Sequence, residues 1–191
     1  MHRVISSAVN PLKISSQPEM LPSSGAFSKF SFASITASFH KRTMKIYRMH
    51  RSVRATGDYI GAMLAGGRWN PIGTPMLYTA QHLSLACIEV LVHLDKSQLP
   101  RDYVWSKTEL PNTPGTLPFG NLNHIASCQA DGHSWVGTGN QLAVRVPSIV
   151  IPEEVNVLLN PNHASFRDLK WSEPRPFRFD PRLFVTEPQT L

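Results

Sequence analysis

Residues 81–96, QHLSLACIEVLVHLDK, constrain the fold more than any other stretch of this chain. Leu83, Ala86, Cys87, Val90, Leu91 and Leu94 recur at helical spacing, and Thr79 stands where it can cap the helix. Leu85, Ile88 and Val92 extend the apolar surface almost all the way round, so the helix is expected to be packed on several sides. Its polar residues His82, Glu89, His93 and Lys96 fall on one narrow stripe. Glu89 therefore projects from a largely buried helix, where a carboxylate is costly unless it is paired or reaches a cleft. From the helix alone, a structural ion pair with an arginine and a working carboxylate are both open.

The runs around this helix read mainly as strands. MKIYRMH at 44–50, MLYTA at 76–80, YVWSKTEL at 103–110, NQLAVRVPSIVI at 140–151 and EVNVLLN at 154–160 have strand character. GGRWNPIGTP and PNTPGTLPFG between them are glycine- and proline-rich loops. Strands outnumbering helices around one strong helix point to an α+β domain rather than a doubly wound one.

Charge divides the chain. Residues 1–43 carry Arg3, Lys13, Lys29, Lys41 and Arg42 against Glu19 alone, so most of the net +6 lies there. With ten serines and no sustained apolar period, this segment reads as a disordered or mis-started leader, with Met44 the true start, or as an organelle transit peptide. The remainder, 44–191, is read as one domain and is nearly neutral, which argues against direct nucleic-acid binding. Two cysteines, Cys87 and Cys128, make no disulfide framework, so a cytoplasmic setting is expected. No apolar run reaches the length of a membrane helix, so a soluble chain with no membrane partner is expected.

Several kinds of chemistry fail on spacing. GHSWVG at 132–137 places its second glycine one residue late for a nucleophile elbow. GTGNQL at 137–142 breaks the dinucleotide fingerprint, and there is no P-loop. His82 and His93 are eleven apart, and no H-x-x-x-H or C-x-x-C pair occurs, so no metal is expected. NPNH at 160–163 reads as a turn in which His163 bonds locally. Arg48 and Arg68 offer rigid forks of donors suited to phosphate or carboxylate, though single arginines more often serve surface or packing roles. Tyr78 suits either a stacking site or the core, and Ser148 either a site or a backbone contact.

Taken in order, YR at 47, GGRWNPIGTPMLYTA at 66, SLACIEVLVH at 84 and LAVRVPSIVIPEEVNVLLNPNHASF at 142 closely resemble the RES family, named for its arginine, glutamate and serine. The resemblance covers nearly all of residues 44–170. Val157 departs from it where an aromatic is usual, and Ala164 where proline is common. It implies a fold like that of ADP-ribosyltransferase toxins, with a mixed β-sheet core, and an activity that consumes NAD as substrate. It also implies an Xre-like antitoxin as partner, and it leaves room for a homodimer within the toxin–antitoxin complex. By position, Glu89, Ser148 and Tyr78 would be its catalytic residues, while Arg48, Arg68 and Tyr47 would hold NAD. Hydrolysis, phosphorolysis and transfer of ADP-ribose to a protein remain open, as does a catalytically inactive binding module.

Overall fold

The computed structural model describes residues 43–95 and 100–184, which belong to one compact unit. The leader reading covers residues 1–43, of which 1–42 lie outside the described residues, and so does Lys96 of the polar stripe.

Six strands form one sheet in the order β4-β5-β2-β1-β3-β6: β1 Met44–Arg51, β2 Leu77–Ala80, β3 Tyr103–Leu110, β4 Ala143–Pro147, β5 Val155–Leu159 and β6 Arg175–Pro176. Helices α1 (Ile60–Ala65), α2 (Leu83–Leu91) and α3 (Ile125–Thr138) complete the α+β architecture. All pairs of named strands are antiparallel, and the sheet is mixed only through an isolated parallel bridge between Thr116 and Arg145.

Register decides what faces what. Tyr47, Ala80, Asn156 and Val146 are aligned across β1, β2, β5 and β4, so they share one face with Tyr78, Leu158 and Val144. On that face α2 packs Leu85 and Ala86 against Met49 and Ala80, and α3 packs Trp135 and Val136 against Val144, Val146 and Leu158. The opposite face buries Ile46, Leu77, Val157 and Leu159 under Tyr59, Phe166, Leu169 and Trp171. Val157 is fully buried there, so this departure from the family resemblance falls at a core position.

The strong helix forms, but as Leu83–Leu91 rather than 81–96, and Thr79 does not cap it. Thr79 lies inside β2, with its hydroxyl donating to the Val157 carbonyl at 2.6 Å, while His82 takes the cap position without a side-chain cap bond. The expected strand over 140–151 ends at Pro147, because the Ser148 hydroxyl accepts the N–H groups of Val150 and Ile151 and folds that stretch into a turn. At 160–163 the turn forms as read, with Asn160 accepting from the Asn162 N–H and His163 from the Ser165 N–H.

Helix α3 has no counterpart in the sequence reading, since its glycines and polar residues blur the apolar period. His124 caps its start by accepting from the Ser127 N–H, and Gly139, at φ 65°, closes its end. A β-carbon on Gly132 would lie 1.9 Å from the Trp69 carbonyl oxygen, so only glycine allows α3 to come this close to the 66–76 loop.

Candidate active site

Between β1 and β2 the register holds at a single pair, Tyr47 and Ala80. A cleft of about 690 Å³ lies against this seam, lined by Tyr47, Arg48 and Met49 from β1 and by Tyr78, Thr79 and Ala80 from β2. Gly66, Gly67 and Arg68 of the glycine loop, together with Glu89 near the end of α2 and His93 just beyond it, form further walls. This volume lies in the range of small-molecule sites. Of the six residues singled out from the sequence, five line this cleft, and Ser148 stands immediately behind it.

Glu89 is held from one side. Its Oε1 accepts the Ser148 hydroxyl at 2.7 Å and the Asn156 amide at 2.6 Å. Ser148, 1% exposed, also accepts two backbone N–H groups, so its only proton goes to Glu89. The arginine partner allowed for in the sequence reading is not there: among the described residues no ion pair involves Glu89. Asn156 escaped that reading. The available signal was a lone polar side chain at an alternate position of the apolar run EVNVLLN.

Arg48 donates to the backbone carbonyl of Asp58, and its Nη1 is buried without a partner among the described residues. Burial pushes its pKa down to about 10, an effect that Asp58 opposes. The guanidinium is still a cation at neutral pH, and a buried donor left unpaired favours an acceptor or anion arriving from the cleft. Arg68 is tied by one Nη1 bond to the Leu122 carbonyl at 3.0 Å.

The glycine loop is tied by hydrogen bonds within itself and to α1, β2 and α3. Asn70, fully buried, donates to the carbonyls of Ala62 at 2.9 Å and Thr74 at 3.0 Å. The Tyr78 hydroxyl donates to Asn70 Oδ1 at 2.7 Å and accepts the Trp69 N–H at 3.0 Å. Gln129 of α3 donates to the Gly67 carbonyl at 2.9 Å. Burial drives the Tyr78 pKa up to about 12, so the hydroxyl keeps its proton and its place in this latch. Tyr78→Phe keeps the ring but strands the Trp69 N–H and the Asn70 carbonyl oxygen. Chemical denaturation is expected to show a loss of about 1–3 kcal/mol, the cost of leaving buried polar groups unpaired.

Among the described residues no group of three or more His, Cys, Asp or Glu side chains is arranged to hold a metal ion, and no helix is long and apolar enough to cross a membrane.

The RES domain family matches residues 45–180, which spans the whole cleft. The chain belongs to the RES domain family. This RES domain is 34% identical over 151 residues to the protein named Toxin Res of Yersinia enterocolitica, an alignment covering 73% of this chain and 99% of that one. It is also 34% identical over 134 residues to the Prs ADP-ribosylating toxin of a Sphingobium species, covering 64% and 83% of the two chains. Among solved structures, the M. tuberculosis MbcT-MbcA toxin-antitoxin complex contains a chain of the same fold. It superposes with a TM-score of 0.58 at 19% identity, covering 75% of this RES domain and 87% of that chain.

Proposed function

We propose that this chain is a toxin that consumes NAD by breaking the bond between nicotinamide and ribose. The observation that carries this reading is the Glu89 carboxylate, fixed by Ser148 and Asn156 on the wall of a cleft that also presents Arg48 and Arg68. When the bond breaks, its electron pair goes to the pyridinium nitrogen and nicotinamide leaves neutral, so no general acid is needed. The ribose left behind is a cation spread over C1′ and the ring oxygen. A carboxylate positioned beforehand stabilises that charge, and two arginines hold the anionic pyrophosphate. Tyr47 lines the same wall and is assigned to NAD binding with them.

The same cation can be captured by water, by phosphate or by a side chain of another protein. Depletion of NAD through the first two is the leading reading. Transfer to a protein is supported by the name of the Sphingobium relative, an ADP-ribosylating toxin. By the same route the toxin–antitoxin complex among the structural neighbours supports an antitoxin partner, which we take to be Xre-like.

The test is to follow NAD with the purified protein, with and without phosphate, and to identify products by mass. ADP-ribose would name water as the acceptor, its phosphorylated form would name phosphate, and NAD loss only on addition of a cell extract would name a macromolecular target. Unchanged NAD in all three arms would sink the enzymatic reading. Arg68→Lys is expected to lower kcat/KM by about 10- to 100-fold, since an ammonium cannot reproduce a charge-assisted fork whose bonds contribute about 1.5–3 kcal/mol each. Full activity in that variant would remove Arg68 from the site.

A further inference from the structure

Glu89 receives both of its hydrogen bonds on Oε1, and no partner meets Oε2 among the described residues. The direction of both bonds is dictated by chemistry. The Ser148 hydroxyl has one proton, and its oxygen already accepts two backbone N–H groups. Asn156 faces a carboxylate oxygen, which can only accept, so the Asn156 amide must turn Nδ2 toward Glu89 and leave Oδ1 on the other side. Asn156 sits on β5, in register with Ala80 of β2 and Val146 of β4, and lines the cleft itself.

We infer that Asn156 is a positioning residue that, with Ser148, engages one oxygen of Glu89 so that Oε2 is the oxygen presented to the ribose cation. This inference rests on the NAD-cleaving reading above. The sheet gives the device its precision. Glu89 rides on a helix, and without a second anchor its three side-chain torsions would sample several rotamers. Asn156 comes from an interior strand and Ser148 from the turn after its neighbour β4, so the carboxylate is tied to the sheet from two directions.

Asn156→Asp tests this without changing shape. In its protonated form the introduced carboxyl group would donate to Glu89 Oε1 as the amide does. Once it ionises, the donor is lost and two negative charges face each other across a hydrogen-bond distance, which raises the upper pKa of the pair. Turnover by Asn156→Asp is therefore expected to approach the parent protein at acid pH and to fall as pH rises through that upper value, a limb the parent lacks. Asn156→Ala, which removes the donor and adds no charge, is expected to lose about 10- to 100-fold in kcat at every pH, the scale of a small misplacement of a catalytic group. Its KM should change far less than its kcat.

Thermal unfolding run beside the kinetics separates lost position from lost fold. If both Asn156 variants keep the parent kcat and pH profile, or lose activity only in proportion to lost folded protein, the inference is overturned. Glu89→Gln distinguishes that failure from a failure of the underlying reading. An active Glu89→Gln protein overturns the reading itself, whereas an inactive one beside unaffected Asn156 variants overturns only the role of Asn156.

Discussion

Glu89→Gln is expected to remove NAD consumption by about 10²–10³-fold or more while leaving the fold intact, because the loss is that of a preorganised charge facing a developing cation. The structure explains why the two effects separate. Ser148 and Asn156 both donate to a single oxygen, and a glutamine still presents one carbonyl oxygen to receive them. What disappears is the negative charge and the second acceptor. Steady-state NAD turnover and circular dichroism on the same preparation check the prediction. A variant that unfolds would show the carboxylate to be a structural group, and one that turns over NAD normally would move the chemistry elsewhere.

Gly132→Ala is expected to destabilise the protein by about 3 kcal/mol or more, the upper range of overpacking penalties. For a chain of this size that corresponds to a Tm lowered by roughly 6–12 °C. The added methyl would meet the Trp69 carbonyl oxygen at 1.9 Å, a backbone atom with nowhere to go. Trp69 is next to Arg68, its N–H is bonded to Tyr78, and Gln129, one turn earlier on α3, holds the Gly67 carbonyl. Forcing α3 outward therefore disturbs the loop that carries Arg68, and activity should fall with stability. Calorimetry and NAD turnover test both halves. An unchanged Tm would mean that helix and loop separate freely, contrary to the packing described.

The readable parts of this protein are those where local periodicity and burial agree. β1 and β3 appear almost residue for residue where MKIYRMH and YVWSKTEL predict them, because alternating β-branched, aromatic and polar residues suit a half-buried strand. The body of α2 appears because apolar residues recur at its period, although its ends lie inside the expected range. Arg48, Arg68, Tyr78 and Glu89 could be singled out by type and by the order of four sequence blocks, and Tyr47 by its place beside Arg48.

α3 could not be read, because what defines it is a distant contact. Gly132 is helix-weakening in isolation and is required only because the Trp69 carbonyl lies against it. Asn156 could not be assigned either, since its partner is 67 positions away in sequence. Thr79 has the chemistry of a cap, yet the sheet draws its hydroxyl to Val157 instead.

By itself the sequence determined the α+β class and the central helix, since these depend on periods of two and 3.6, and through the order of its four family-like blocks it singled out five residues that line the cleft. The tertiary structure alone decided which groups meet. An arginine partner for Glu89, one of the two readings open from the helix, gave way to Ser148 and Asn156, and the Tyr78 hydroxyl went to the loop rather than to the cleft. The physical reason is that a buried polar atom is satisfied by whichever complementary group the packed backbone brings within about 3 Å, and that depends on strand register and helix placement rather than on sequence neighbourhood.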